Sequence, residues 1–253
     1  MYRPRIIPVL LLKDNALVKS SQFKNHKYIG DPLHTVRIFN ELKADEILFL
    51  DIEASKRGKL IDVDLVRQIG EEANIPFGVG GGIKTIDDIK QLIRAGAEKV
   101  IICSEAIRRP EFITEASEIF GSSTICVCLD LGKSLFGGTK LFSKGGTEKH
   151  SITPFEFAKK IEKLGAGEII VQSIDRDGMM TGYNYSESVI IAKSVSIPVT
   201  ILGGAGQLND IKLVHEKFNF NGYAAGSIFV YYGIHRGVLL NYPERDALQK
   251  IFS

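Results

Sequence analysis

The sequence predicts an α/β fold, a (βα)8 TIM barrel built from two repeated half-barrels that form a single domain over residues 1–253. Short apolar runs alternate eight times with amphipathic stretches along the chain. These runs are apolar throughout, as expected of strands that are buried on both faces. The two halves of the chain also repeat each other's motifs. A length of 253 residues is typical of a one-domain α/β barrel.

The predicted strands are Arg5–Leu12, Glu46–Asp51, Phe77–Gly80, Lys99–Cys103, Thr124–Asp130, Glu168–Ser173, Val199–Leu202 and Gly222–Ala225. The predicted helices between them are Pro32–Lys43, Lys59–Ala73, Thr85–Ala95, Pro110–Phe120, Pro154–Leu164 and Ser186–Val195. Three of these helices have proline near their start, where its missing N–H costs little. Two long stretches, Asp14–Gly30 and Leu131–Ile152, are predicted to be loops. Both follow strands, which places them at the C-terminal face, where barrels hold their active sites.

Three pairs of motifs recur at an offset close to half the chain. IPFGVGGGI (75–83) corresponds to IPVTILGGAG (197–206), FLDIEAS (49–55) to QSIDRDG (172–178), and VIICSEA (100–106) to YAAGSIF (223–229). This repeat indicates two half-barrels of four βα units each. A doubly wound sheet is the rival fold, but it gives no reason for two equivalent halves.

Composition excludes several classes of function. The net charge is +2 without a basic block, so nucleic acid is not an expected partner. The apolar run near the N-terminus is too short to cross a membrane, and we interpret it as a buried strand. Cys103, Cys126 and Cys128 form no CxxC pair and are expected to be buried thiols of a cytoplasmic protein. The five histidines show no metal-ligand spacing, so we expect neither metal nor cofactor.

Glycine clusters close the third and seventh predicted strands, at Gly80–Gly82 and Gly203–Gly204. Small hydroxyl residues follow the fourth and eighth strands, at Ser104 and at Gly226–Ser227. Glycine lets backbone N–H groups approach a phosphate closely, although tight turns use it as well. Because the half-barrel repeat relates the two sets, they favour two phosphate sites across the barrel mouth. A substrate with a phosphate at each end is implied.

The motifs VGGGI (79–83), SIDRDGMMTGY (173–183) and GGAG (203–206) resemble those of the cyclase subunit of imidazole glycerol phosphate synthase, as do RII (5–7), FLDI (49–52) and GAGEI (165–169). The resemblance covers essentially the whole chain. It implies a lyase of histidine biosynthesis that forms a heterodimer with a glutaminase on its N-terminal face. Ammonia then crosses the barrel to a bisphosphorylated ribonucleotide. The residues it assigns to phosphate binding are Gly81, Gly82, Ser104, Asp177, Gly178, Gly203, Gly204, Gly226 and Ser227.

The chemistry of that family uses two aspartates, at the ends of the first and fifth strands. The second is Asp130, but the first position holds Leu11, with RII before it and KD after it fixing the register. Asp14 lies three residues further on, and an odd shift along a strand reverses the direction of a side chain. Leucine transfers no proton, whereas a positioned acid or base contributes about 10²–10⁴-fold in rate. Cys103 also departs from the family, because Cys-Ser stands there in place of Asn-Thr.

Four charged residues open predicted strands: Arg5, Glu46, Lys99 and Glu168. From the sequence alone, a paired ring of charges on the N-terminal face serves stability. The resemblance instead implies that these residues gate the passage of ammonia. Lys19 matches a lysine on a mobile loop that closes over substrate, and a solvated lysine is the alternative.

Two functional hypotheses therefore stand. The chain is either a working cyclase that relies on Asp130, or an ammonia-conducting subunit that serves a different acceptor enzyme. Paralogues that resemble this family supply ammonia for amidation of surface sugars, and a lost aspartate beside an intact charge ring favours this second hypothesis. Leu11 argues equally against the related sugar-phosphate isomerase, which also relies on two carboxylates. If neither chemistry holds, Asp130 is a solvated carboxylate at a strand end.

Overall fold

The computed structural model describes residues 3–134 and 137–252. Numbered in chain order, the strands are β1 (Arg5–Lys13), β2 (Ala16–Ser21), β3 (Lys24–Gly30), β4 (Ile47–Asp51), β5 (Phe77–Gly80), β6 (Lys99–Ile102), β7 (Ile125–Lys133), β8 (Thr139–Ser143), β9 (Glu148–Lys149), β10 (Glu168–Ser173), β11 (Val199–Leu202), β12 (Gly222–Ala225), β13 (Tyr231–Tyr232) and β14 (Gly237–Val238). The helices are α1 (Pro32–Glu41), α2 (Ala54–Arg57), α3 (Val63–Glu72), α4 (Ile86–Arg94), α5 (Ser104–Arg108), α6 (Phe112–Phe120), α7 (Pro154–Lys163), α8 (Ser186–Ala192), α9 (Leu208–His215), α10 (Ser227–Val230) and α11 (Arg245–Phe252). Ser122–Thr124 and Ile174–Arg176 form single 3₁₀ turns.

In this described part of the chain, eight parallel strands close into a barrel in the order β1, β4, β5, β6, β7, β10, β11, β12. The ring closes because β12 pairs with β1, with Tyr223 opposite Ile6. Between the two half-barrels, β10 pairs with β7, with Ile170 opposite Cys128. The predicted (βα)8 barrel is confirmed, and β5, β10, β11 and β12 have the predicted bounds.

The barrel strands are largely apolar because each contributes to two buried layers. On β1, Ile6 and Leu10 pack outward beneath the helices. Ile7, Val9 and Leu11 alternate with them and point into the lumen. A leucine at position 11 therefore continues the apolar lumen up to the barrel mouth.

Helix starts follow local capping chemistry. Asp31 caps α1 by accepting a hydrogen bond from the His34 N–H, and Pro32 occupies the first turn. The helix predicted over Lys59–Ala73 begins only at Val63, because the Asp62 side chain caps it there. Within the described residues, none of the helices is both long enough and apolar enough to cross a bilayer.

Two segments predicted to be loops are β-hairpins, so that prediction was wrong. β2 folds back on β1 and β3 pairs with β2, which makes residues 13–30 the first hairpin. β8 folds back on β7 and β9 pairs with β8, which makes residues 133–150 the second hairpin, apart from the undescribed residues 135 and 136. Non-glycine residues with positive φ form the tight turns of the first hairpin, including Gln22 (φ 51°) and Phe23 (φ 61°). Both hairpins rise from the C-terminal face of the barrel.

Candidate functional site

A cavity of about 490 Å³ opens at the C-terminal ends of the strands. Its floor is apolar and includes Leu11, Leu50 and Ile101. The two hairpins line its upper part, through Phe23 and His26 from the first, and through Ser143, Lys144 and His150 from the second. Cavities of this size accept small-molecule ligands. The mouth therefore combines a dry floor with polar walls.

Asp130, at the end of the fifth barrel strand, is buried in this mouth. Its carboxylate accepts hydrogen bonds from two thiols, from Cys103 Sγ at 3.5 Å and from Cys128 Sγ at 3.6 Å. Burial raises the pKa of Asp130 to about 6, and the two thiols offset only part of that shift. Because thiols are weak donors, the carboxylate is poorly stabilised. Asp130 can thus hold or release a proton close to neutral pH.

Leu11 lines the same cavity as Asp130, at the position where the family resemblance implies a second carboxylate. Its side chain is only 6% exposed, and its strand neighbours are Val18 on β2 and Leu50 on β4. Asp14 does not replace the missing group, because it lies in the turn after β1 with a side chain 62% exposed. Its carboxylate accepts a hydrogen bond from Arg57 at 2.7 Å. The mouth therefore contains Asp130 without a partner aspartate at position 11.

The first predicted phosphate position, formed by Gly81, Gly82 and Ser104, borders the open cavity. Gly82 has φ +70°, and a Cβ atom there would collide with the Lys59 carbonyl oxygen, so the turn itself requires glycine. The Ser104 hydroxyl accepts a hydrogen bond from the Lys144 backbone N–H at 3.1 Å. The second hairpin is thus anchored at this position.

The second predicted phosphate position is filled by the chain itself. Gly203, Gly204, Gly226, Ser227, Asp177 and Gly178 surround a pocket of only about 20 Å³, close to the room of one water molecule. Lys19 lines this pocket, with its Nζ 3.7 Å from Asp177 Oδ1 and closely packed against Gly226. The family resemblance matches Lys19 to a lysine on a mobile loop; in this structure Lys19 lies on β2 and is buried. The two positions related by the half-barrel repeat are therefore unequal.

The turn after β10 holds both hairpins. Asp177 accepts hydrogen bonds from Ser20 Oγ at 2.5 Å and from the Phe23 N–H at 3.3 Å, both on the first hairpin. Asp175 accepts a hydrogen bond from the Lys133 N–H at 2.9 Å, on the second hairpin. Sequence reasoning missed Ser20 and Asp175, because their partners exist only once the hairpins form. The two aspartates of the SIDRDG motif were the available signal.

The four charged residues at the strand starts meet in one ring. Arg5 pairs with Glu46 and, at 2.6 Å, with Glu168. Lys99 pairs with Glu46 at 3.1 Å and with Glu168 at 2.8 Å. The Thr200 hydroxyl also donates to Glu168, at 2.7 Å. The ring closes the N-terminal end of the lumen with alternating charge.

Burial and pairing act in opposite directions on the charges of this ring. Burial alone would lower the pKa of Lys99 and of Arg5, but Glu168 and Glu46 outweigh it and raise both values. Burial alone would raise the pKa of Glu168, but Arg5 and Lys99 outweigh it and lower that value. Above the ring, the lumen is lined by apolar side chains and thiols, namely Ile7, Val9, Leu48, Ile101, Cys126, Cys128, Ile170, Leu202 and Ala224. The ring of charges thus borders a largely apolar interior.

Comparison with known proteins supplies a family for this arrangement. The family described as "Histidine biosynthesis protein" matches residues 5–236. A Leptospira interrogans protein, provisionally named imidazole glycerol phosphate synthase subunit HisF, is 42% identical over 253 residues and is covered in full, as is this chain. A Vibrio vulnificus protein provisionally named hisF3 is 43% identical, over 99% of this chain and 96% of its own length. A Pseudomonas aeruginosa protein provisionally named hisF2 is 40% identical, over 98% of this chain and 99% of its own length.

Proposed function

Since this chain belongs to the histidine biosynthesis protein family, we propose that it is the barrel subunit of a glutamine-dependent pair that passes ammonia to a separate acceptor enzyme. A glutaminase binds the face that carries the charge ring and releases ammonia there. The ammonia crosses the lumen and leaves at the mouth. The acceptor we favour is an enzyme that amidates a surface sugar.

Leu11 is the observation that carries this proposal. Cyclisation in the family requires proton transfer by two carboxylates, and an aliphatic side chain at this position removes one of them. The replacement is well packed, because Leu11 is buried between Val18 and Leu50. The mouth has therefore changed from a two-carboxylate site to an apolar exit with one carboxyl group at its side.

The opposite end of the barrel supports the same function. The ring of Arg5, Glu46, Lys99 and Glu168 is complete, and each carboxylate pairs with both cations. A gate of this kind can open by exchanging partners without leaving a charge unpaired. The apolar lumen above it suits neutral ammonia better than ammonium, because an unpaired charge in a dry interior is costly.

The names of the relatives also suit a chain that differs from the cyclase of the pathway. Two of them carry the numbered names hisF2 and hisF3, as second and third copies would. The family thus contains proteins named for the synthase as well as numbered copies.

The testing experiment combines the chain with the glutaminase subunits of its own organism. We expect one glutaminase to co-purify and to hydrolyse glutamine faster in the complex than alone. With ammonium salt and the bisphosphorylated family substrate, the chain should turn over about 10²–10⁴-fold more slowly than a cyclase that has both aspartates. Leu11→Asp should raise this rate. Leu11→Asn is the matched control, because asparagine has nearly the shape of aspartate but transfers no proton. Absence of glutaminase binding, or wild-type turnover within tenfold of such a cyclase, contradicts the proposal.

A working cyclase is the second candidate, and the environment of Asp130 favours it. A buried carboxyl group with a pKa near 6 can donate and accept protons at neutral pH. A bisphosphorylated substrate, however, needs room at both phosphate positions, and Lys19 fills the second. This candidate therefore requires the first hairpin to open. Cyclase activity in the wild type that is lost in Asp130→Asn would establish it.

A further inference from the structure

The positive charge of the molecule is concentrated on the two hairpins. The first hairpin (13–30) carries four lysines and one aspartate, and the second hairpin (133–150) carries four lysines and one glutamate. Each hairpin is therefore net +3, whereas the whole chain is only +2. The remaining residues are accordingly net −4. Such segregation of charge creates a local field that selects what approaches this end of the barrel.

Together the hairpins form a roof over the mouth. They meet where Gly146 of the second packs against Phe23 of the first, since a Cβ atom at Gly146 would lie 3.4 Å from that ring. Half of the eight hairpin lysines are exposed and lie away from the cavity lining. Lys24, Lys27, Lys133 and Lys149 are all exposed. Tyr28, next to Lys27 on β3, is 70% exposed.

Among the described residues, these four exposed lysines have no carboxylate partner. Three ion pairs that involve the hairpins are found in the described residues: Arg57 with Asp14, Lys19 with Asp177, and Lys144 with Glu148. In the same described part of the chain, no carboxylate lies within 4.0 Å of the Lys24, Lys27, Lys133 or Lys149 amino groups. Unpaired like charges repel one another, and a surface that carries several of them is complementary to an acidic one.

We infer that this roof is the docking surface for the enzyme that consumes the ammonia, and that this enzyme presents an acidic face to it. The inference rests on the proposed function, because only then does a second enzyme have to meet the mouth. Ammonia that escapes into neutral water becomes mostly protonated and loses its reactivity. An acceptor seated on the roof receives it before that happens. Tyr28 supplies the large, partly apolar contact that interfaces favour.

A small anionic ligand does not account for these lysines. A ligand in the cavity meets the inner sides of the hairpins, at Phe23, His26, Lys144 and His150. The unpaired lysines instead point to solvent, where a partner of macromolecular size can reach all of them. An acidic protein is favoured over nucleic acid because the positive charge surrounds one opening and the rest of the chain is net negative.

The test uses the complete system of chain, co-purified glutaminase and the sugar-amidating enzyme of the same organism. The variant Lys27→Glu/Lys149→Glu reverses one exposed charge on each hairpin. The matched control Lys90→Glu/Lys159→Glu reverses two exposed charges on α4 and α7 of the outer wall. Amidation is measured with glutamine as the nitrogen source while the concentration of the acceptor enzyme is varied. We expect the hairpin variant to raise the KM for the acceptor enzyme, its concentration at half-maximal rate, about tenfold. Amidation driven by ammonium salt should be unchanged in both variants.

Salt gives a second readout, because added salt should weaken docking of the wild type more than that of the hairpin variant. Equal KM values for the hairpin and control variants overturn the docking surface but leave the proposed function standing. The docking surface is also overturned if the hairpin variant loses binding of inorganic phosphate but docks normally, because the lysines would then bind a small anion. Tighter binding of a short DNA duplex than of the acceptor enzyme also overturns it. If the wild type supports no amidation at all, the proposed function fails, and the docking surface fails with it.

Discussion

At the scale of single residues, the environment of Asp130 explains why this carboxyl group resists ionisation. Two weak thiol donors and an apolar floor surround the carboxylate, and burial in such a setting favours the neutral form. Leu11 adds to this dryness, because an aspartate in its place would hydrate the mouth. The retained carboxyl group thus lies in surroundings that favour its neutral form.

Asp130→Asn should alter how stability depends on pH. The folded-state pKa of Asp130 is raised from 3.8 to about 6, so between these values the folded protein keeps a proton that the unfolded chain has lost. Wild-type stability therefore falls as pH rises from about 4 to 6, by about 3 kcal/mol in total. Asparagine does not titrate, so the free energy of unfolding of the variant should rise relative to that of the wild type over this pH range. Urea unfolding at several pH values measures the difference, and a gap that stays constant from acid to neutral pH contradicts it.

At the scale of structural elements, the turn after β10 acts as the common anchor of both hairpins. The Asp177 side chain holds the first hairpin through hydrogen bonds from Ser20 and Phe23 and an ion pair with Lys19, and the Asp175 side chain holds the second through one hydrogen bond. Hydrogen bonds to charged groups are worth about 1.5–3 kcal/mol each. Opening of each hairpin should therefore be controlled separately by its own aspartate.

Asp177→Ala should release the first hairpin without releasing the second. Loss of the bonds from Ser20 and Phe23 makes opening more frequent, and trypsin should cut after Lys24 and Lys27 about tenfold faster. Asp175→Ala is the matched control, since it should accelerate cleavage in the second hairpin, after Lys133 and Lys140. Limited proteolysis with peptide mapping reports both. Equal acceleration of both hairpins in either variant would mean that they open as one unit.

The barrel strands could be predicted from the sequence and the hairpins could not, for a physical reason. A strand buried on both faces carries a short, mostly apolar run, as in IIV of β10 (EIIVQS) and VTIL of β11, and such a run is visible in the sequence. The first hairpin is mostly polar, and its outer turn uses Gln22 and Phe23 at positive φ, which few non-glycine residues adopt. The turn between β1 and β2 could be predicted from the sequence, because Asp14 and Asn15 are residue types that tolerate positive φ.

The candidate site divides in the same way. The four ring residues could be placed together because each opens a barrel strand, and the barrel brings strand starts to one end. Leu11 and Asp130 could be placed by the half-barrel repeat. The burial of Lys19 beside Asp177 could not be predicted, because it depends on how β2 folds back on β1. Residues whose position is set by the barrel strands could be placed from the sequence, whereas residues whose position is set by the hairpins could not.

At the scale of the whole molecule, the charge ring joins strands from both half-barrels. Lys99→Ala should lower the free energy of unfolding by about 3 kcal/mol, because Glu46 and Glu168 would then share Arg5 alone in a buried setting. The double variant Glu46→Gln/Lys99→Met removes one charge of each sign and should lose less. Urea denaturation compares the two. A larger loss in the double variant would show that the ring stabilises the barrel chiefly by packing.

Leu11 also bears on how such a chain can evolve. Catalytic centres place charged groups where apolar ones would be more stable, so selection for turnover works against selection for stability. When a duplicated protein no longer has to catalyse ring closure, selection for turnover no longer opposes selection for stability at the mouth. Under the proposed function, assembly still constrains the opposite end, where four charges must match one another and a glutaminase. The two ends of one barrel can therefore diverge at different speeds, and a lineage of such copies would be recognised by a constant base beneath a variable mouth.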